Sequence, residues 1–202
     1  MMTEPDALFC SEEMDQIVME GVREVLGRDE IAALFEAAGA TVPGDGEKLA
    51  EEQFAAILAV VEKRHGSLGA RGIAMRIGRA CFPGFVRSFG SDGGFEDAEY
   101  RLLPVRKRAR AGLEKLAAIF DCACGLRIVV DTTPDAWIWT INDCRQCSNP
   151  QVESAVSHFM LGLLQQYLGW ISGGKVFQVE ETACQANGDP NCVIRIHRLP
   201  LD

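Results

Sequence analysis

Apolar residues recur at helical spacing along the first two thirds of this chain and, after Gly125, at every second position. Ile17, Gly21, Val22 and Val25 share one face of a predicted helix that stops near Gly27. Ile31, Leu34, Phe35 and Ala38 form a second stripe, closed by Gly39 and the turn Pro43-Gly44-Asp45-Gly46. Phe54, Ile57, Leu58 and Val61 predict a helix over 48–64. Ile73, Ala74 and Ile77 predict another over 70–81, with Pro83-Gly84 near its end. Ser91-Asp92-Gly93-Gly94 reads as a loop. Leu113, Leu116, Ala117 and Phe120 give the clearest helical period, and Pro104 can interrupt the start of that segment.

After Gly125, Leu126, Ile128 and Val130 alternate with polar neighbours, as a half-buried strand requires. Thr133-Pro134-Asp135 turns the chain, and 136–142 returns with Trp137, Trp139 and Ile141 on one face. Asn149 suits a helix cap, Pro150 the first helical position, and Gly173-Gly174 the end. Val152, Val156, Phe159, Leu163, Tyr167 and Ile171 make the seam of that helix. Strands over 176–182 and 192–197, joined at Asn187-Gly188-Asp189-Pro190, close the chain. Two hairpins separated by one amphipathic helix predict an α+β fold: a four-stranded antiparallel sheet packed with helices. A helical region over 1–95 precedes a core over 96–202.

Composition narrows the function classes. The chain has 202 residues, 48% hydrophobic and 24% charged, which is an ordinary globular balance. No apolar run reaches the roughly 20 residues of a membrane span. The acidic N-terminus has no signal-peptide core, so a cytoplasmic protein is expected. The net charge of −9 argues against nucleic acid as a partner. Arg101, Arg106, Lys107, Arg108, Arg110 and Lys115 crowd one stretch, either as a solvated helix face or as a dock for an acidic partner or a ligand's carboxylates.

Eight cysteines are many for a cytosolic chain, where structural disulfides are disfavoured. Cys10, Cys81, Cys122 and Cys124 follow no pattern. Cys144 and Cys147 form a C-x-x-C, and Cys184 and Cys192 bracket a turn. Those four suit tetrahedral zinc, or stand as free thiols, or pair as a disulfide. Strand parity sets Glu181 and Cys184 on opposite faces unless the strand bulges between them. No nucleophile elbow, phosphate loop or dinucleotide fingerprint is present, so no catalytic residue is assigned.

The run from Val179 through Glu181, Cys184, Gly188-Asp189 and Cys192 to Ile196 resembles the signature that ends 4-vinyl reductase domains. Ser157-His158-Phe159-Met160-Leu161-Gly162 resembles the family's helix, and Asp143-Cys144-Arg145-Gln146-Cys147 the C-x-x-C before it. Gly69-Ala70-Arg71-Gly72-Ile73-Ala74 is similar to the N-terminal half of short stand-alone bacterial members. The resemblance implies a TRAPP/4-vinyl-reductase-like fold, a homodimer, and a binding or scaffolding role. It also implies zinc held by Glu181, Cys184, Cys192 and a cysteine at the start of the helix, where this chain has Ser157. Cys147, or Cys144 with Cys147, is the candidate replacement.

Trp137, Trp139, Phe159, Tyr167, Trp170 and Phe177 supply apolar surface at the sheet–helix junction, either as core or as the lining of a pocket for a flat or hydrocarbon ligand. His158 is the candidate polar anchor. Three functions are therefore expected in competition: a sensor or carrier for a small apolar or aromatic ligand, acting through a protein partner; a tetrapyrrole-handling protein that assists or performs vinyl reduction; and a ligand-free dimeric scaffold.

Overall fold

The computed structural model describes residues 11–44, 51–142, 144 and 155–201, with side chains for 11–44, 57, 59–142, 144 and 158–201. Helix α1 (Glu12–Leu26) begins where Ser11 Oγ accepts the Met14 N–H at 3.3 Å, and Glu12, Glu13 and Asp15 complement its positive end. Gly27, at φ 78°, separates it from α2 (Arg28–Ala37). Asn149, Pro150, Val152 and Cys147 lie outside the described residues.

Helix α3 (Glu51–Phe89) joins the two predicted helices across a break at Gly66, where φ is 71° and ψ 168°. It also runs through Pro83, where the sequence predicted an end. A proline inside a helix costs about 3 kcal/mol. Phe82 and Phe85, on either side of it, are 2% and 0% exposed, and burying two such rings offsets that cost at about 1.5–3 kcal/mol each.

A single turn, α4 (Ala98–Arg101), leads through Pro104 into α5 (Val105–Cys124). Pro104 therefore starts this helix rather than interrupting it. Strands β1 (Arg127–Thr132) and β2 (Ala136–Asn142) form the first hairpin, and Thr133 Oγ1 ties its turn by donating to Asp135 Oδ1 at 2.9 Å. Helix α6 (Ala155–Ser172) crosses to the second hairpin, β3 (Val176–Ala183) and β4 (Cys192–Leu201). The four strands are antiparallel in the order β1-β2-β4-β3, so the last strand is internal and β3 is an edge. Alternation decides the faces. Trp137, Trp139 and Ile141 point inward, and their partners across the sheet are Ile196, Ile194 and Cys192.

Two clusters make up the core. One joins α1, α2 and α3 through Ile17, Ile31, Leu34, Phe35 and Ile77. The other joins the sheet, α5 and α6 through Trp137, Trp139, Leu113, Leu116, Leu164 and Tyr167. Phe159 packs against both. The crossing of α3 and α6 is a backbone contact. A Cβ on Gly78 would stand 2.0 Å from the Phe159 carbonyl oxygen, and one on Gly162 would stand 2.0 Å from that of Met75. Among the described residues no helix is long and apolar enough to cross a membrane.

Cysteines without a sequence pattern divide sharply. Cys81 donates to the Ile17 carbonyl at 3.4 Å beneath Gly21, and burial, followed by the charges of Glu24 and Glu20, pushes its thiol up to about 12. Cys122 is exposed. Cys124 is disulfide-bonded, against the expectation that its compartment would keep it reduced.

Gly78→Ala or Gly162→Ala should force the helices apart and destabilise by about 1–3 kcal/mol, as overpacking does. At roughly 2–4 °C per kcal/mol, thermal unfolding followed by circular dichroism should fall by several degrees. Gly72→Ala meets nothing within 4 Å and should be neutral or stabilising by up to about 1 kcal/mol. In native alkylation with iodoacetamide read by mass spectrometry, Cys122 should label readily. Cys81 should stay unlabelled at pH 8, because its thiolate is not populated there.

Candidate functional site

The turn between β3 and β4 gathers the metal-ligating side chains. After Ala183 the chain makes a short 3-10 turn, Gln185–Asn187, and reverses at Gly188, where φ is 92°. Asp189 Oδ2 accepts the Cys184 N–H at 2.8 Å, and the Gln185 N–H points at Cys192 Sγ at 3.4 Å. The two sulfurs lie 3.9 Å apart and both cysteines are buried.

Strand register brings in the carboxylate. Glu181 pairs with inward-facing Ile194, so it shares the inner face. The register then shifts between Glu181 and Ala183, the bulge that parity requires for Cys184 to reach the same side. The ligand atoms of Glu181, Cys184 and Cys192 all lie within 4.8 Å of one another. Glu181 Oε1 is buried and has no hydrogen-bond partner.

This donor set fits zinc. Two thiolates at Zn–S distances of about 2.3 Å in a tetrahedron stand about 3.8 Å apart, close to the spacing present. An N–H aimed at sulfur stabilises a thiolate, and a buried carboxylate oxygen without a donor suits a cation. Cys144 is buried nearby, its N–H donating to Gln185 Oε1 at 2.6 Å, but its sulfur is not part of the three-residue group. Cys147 is outside the described residues, and the side chain of Ser157 is not described.

The aromatic candidates separate into three groups. Trp137, Trp139 and Phe177 lie in the sheet–helix core at 2%, 0% and 5% exposure. Trp139 Nε1 is buried without an acceptor. Because Trp139 pairs with Ile194, which in turn pairs with Glu181, both unpartnered polar groups belong to one row across the inner face. Phe159 and His158 are half-buried on α6. Trp170 departs from the expectation: it is 47% exposed and packs at the rim, 5.7 Å from Phe82 and 6.3 Å from Phe95 between ring centroids.

The sequence reading missed one buried polar device. Tyr100 and Tyr167 hydroxyls lie 3.2 Å apart, and Tyr167 also donates to the Arg108 and Ala109 carbonyls at 2.9 and 3.0 Å. Burial pushes both phenols above their ordinary pKa. Gly112 makes room for them, since a Cβ there would stand 1.9 Å from the Tyr167 oxygen. A glycine inside the most regular helical period was the available signal.

No curated protein matches this chain. Solved structures do. An H-NOX protein from S. oneidensis, described in its Fe(II)NO ligation state, aligns at TM-score 0.63 and 14% identity, over 95% of this chain and 99% of that one. An oxygen-binding H-NOX domain related to soluble guanylate cyclases aligns at 0.56 and 16%, over 93% and 94%. A chain described under modulation of heme redox potential by porphyrin distortion aligns at 0.57 and 17%, over 93% and 94%. At these identities the likeness is one of fold. It corrects the TRAPP-like expectation: helices followed by this sheet form an H-NOX-like architecture. The described donors do not fit a haem in the core. His65 is exposed, His197 is held by Glu180 at 3.1 Å, His158 is half-buried on α6, and no histidine belongs to the buried clusters. The unit that carries Trp137, Trp139, Glu181, Cys184 and Cys192 is nevertheless assigned by sequence: residues 137–198 match the 4-vinyl reductase domain family.

Proposed function

We propose that this chain is a small-molecule sensor or carrier that takes an apolar or aromatic ligand with one hydrogen-bond acceptor between its sheet and its helices. The observation that carries the reading is Trp139, fully buried with its indole N–H unpartnered. A buried donor left unsatisfied costs about 1–3 kcal/mol, so the site favours a molecule that brings an acceptor into an otherwise apolar surround. The family match over this unit and the fold shared with gas- and haem-associated H-NOX structures support a sensory role. The histidine placement favours a ligand other than haem.

Zinc belongs to the same proposal. Glu181, Cys184 and Cys192 would hold it, with a fourth donor from Cys144 or Cys147. The ion supplies structural cross-linking, and the residues themselves fix the β3–β4 turn against the inner face. A homodimer and signalling through a protein partner complete the reading, with the chain binding rather than turning over its ligand.

Titration with an alkylphenol should shift the Trp emission saturably. Trp139→Phe, which keeps a ring and removes the N–H, should weaken that binding several-fold, matching the roughly 1 kcal/mol of one neutral hydrogen bond. An absent shift, or an unchanged affinity in the variant, contradicts the pocket. Protein-dependent loss of the vinyl group of a divinyl tetrapyrrole supplied with NADPH would replace the carrier by a reductase.

Native mass spectrometry of protein expressed with added zinc and purified without chelators should show a two-chain mass with one zinc per chain. Cys184→Ser should release the metal and lower the melting temperature by several degrees, because the site does not exist in the unfolded chain. Cys81→Ser should leave the metal content unchanged. Metal-free wild-type protein would refute the zinc site, and a single-chain mass the dimer.

A further inference from the structure

The end of the β3–β4 hairpin opposite its cysteine turn carries a second irregularity. Phe177 pairs with Pro200 and Val179 with Ile196, so the three residues His197, Arg198 and Leu199 stand opposite the single residue Gln178. A regular strand would send those three alternately to opposite faces. The bulge instead lets consecutive side chains line one groove of 390 Å³. Its other walls come from Pro134 and Asp135 in the β1–β2 turn and from Arg106 in the first turn of α5.

The groove is cationic on one side and apolar on the other. Arg106 makes no ion pair or hydrogen bond among the described residues and stands at the positive end of α5, where the first turn has no acidic residue. Arg198 donates from Nη1 to the Thr133 and Pro134 carbonyls at 2.9 and 3.1 Å, which holds its guanidinium over the Trp137 ring, and its Nε is buried without a partner. The acids nearby are already engaged, Asp135 by Arg195 and Glu180 by His197. Leu199 and Leu201, 64% and 56% exposed, face the same space. In a chain of net charge −9 this is a local reversal of sign.

We propose that this groove binds a small organic anion: a carboxylate or sulfonate set on Arg106 and Arg198, with an apolar body against Leu199, Leu201 and Pro134. Planar anions suit guanidinium donors, and 390 Å³ lies within the range of small-molecule sites. Strand addition by a peptide is disfavoured here, because Pro200 has no N–H to give. This site is separate from the sheet–helix core and does not depend on the proposal made for it.

Two fluorescent probes with nearly the same rings test it, anilinonaphthalene sulfonate and the uncharged phenylnaphthylamine. Wild-type protein should bind the sulfonate saturably, and naphthoate should displace it. Arg106→Gln should weaken sulfonate binding roughly tenfold, the size of one charge-assisted hydrogen bond, and leave the uncharged probe unaffected. Arg101→Gln, an exposed control in α4, should change neither. Leu199→Ser should weaken both probes. Equal losses in Arg101→Gln and Arg106→Gln would mean diffuse electrostatics and overturn the groove. Loss in Trp139→Phe with no change in Arg106→Gln would put the probe in the core, refuting the groove while leaving the core reading intact.

Discussion

The rest of the structure depends on the backbone contact between α3 and α6. With glycine at 78 and 162, a helix face meets the opposing carbonyl groups with no side chain between. Helix α6 links the two hairpins in sequence and also separates the two core clusters, so its depth sets how the N-terminal helices and the sheet face each other. Tyr167 on α6 then reaches the carbonyls of Arg108 and Ala109 past Gly112, which fastens α5 to the same helix. Because interiors are close-packed, an added methyl at any of these glycines must be absorbed by moving a helix.

On the inner face of the sheet, close packing coexists with two polar groups left unpaired. Trp139 Nε1 and Glu181 Oε1 are joined through Ile194 in a single row. In a low-dielectric interior each is costly alone, and costs of that kind persist where something other than stability is served. The row leads from the aromatic core to the cysteine pair. A ligand in the core and a metal at the turn would therefore share one strand pair as their common wall.

The β3–β4 hairpin uses the same device twice. A register shift near Glu181 turns a carboxylate and two thiols to one side, and a shift near Gln178 turns His197, Arg198 and Leu199 into one groove. Both lie where the ladder could be broken cheaply, beside the turn and toward the open end of an edge strand. The central stretch that pairs with β2 stays regular, and it carries the Ile194 and Ile196 core positions.

The sequence by itself determined which segments are helix and which are strand, because periods of 3.6 and 2 are local properties of where apolar residues fall. It placed Leu113, Leu116, Phe120, Trp137 and Trp139 inward, and its cysteine spacing marked Cys184 and Cys192 as one site. It stopped a helix at Pro83 that the burial of Phe82 and Phe85 carries on, since local propensity is weaker than packing. It treated Trp170 as pocket lining, although its place on α6 leaves it at the rim. Only the tertiary structure decided the strand order, the Gly78–Gly162 crossing and the two bulges. Each of these depends on residues far apart in sequence meeting at short distance, and no local period encodes which strand or helix will be the neighbour.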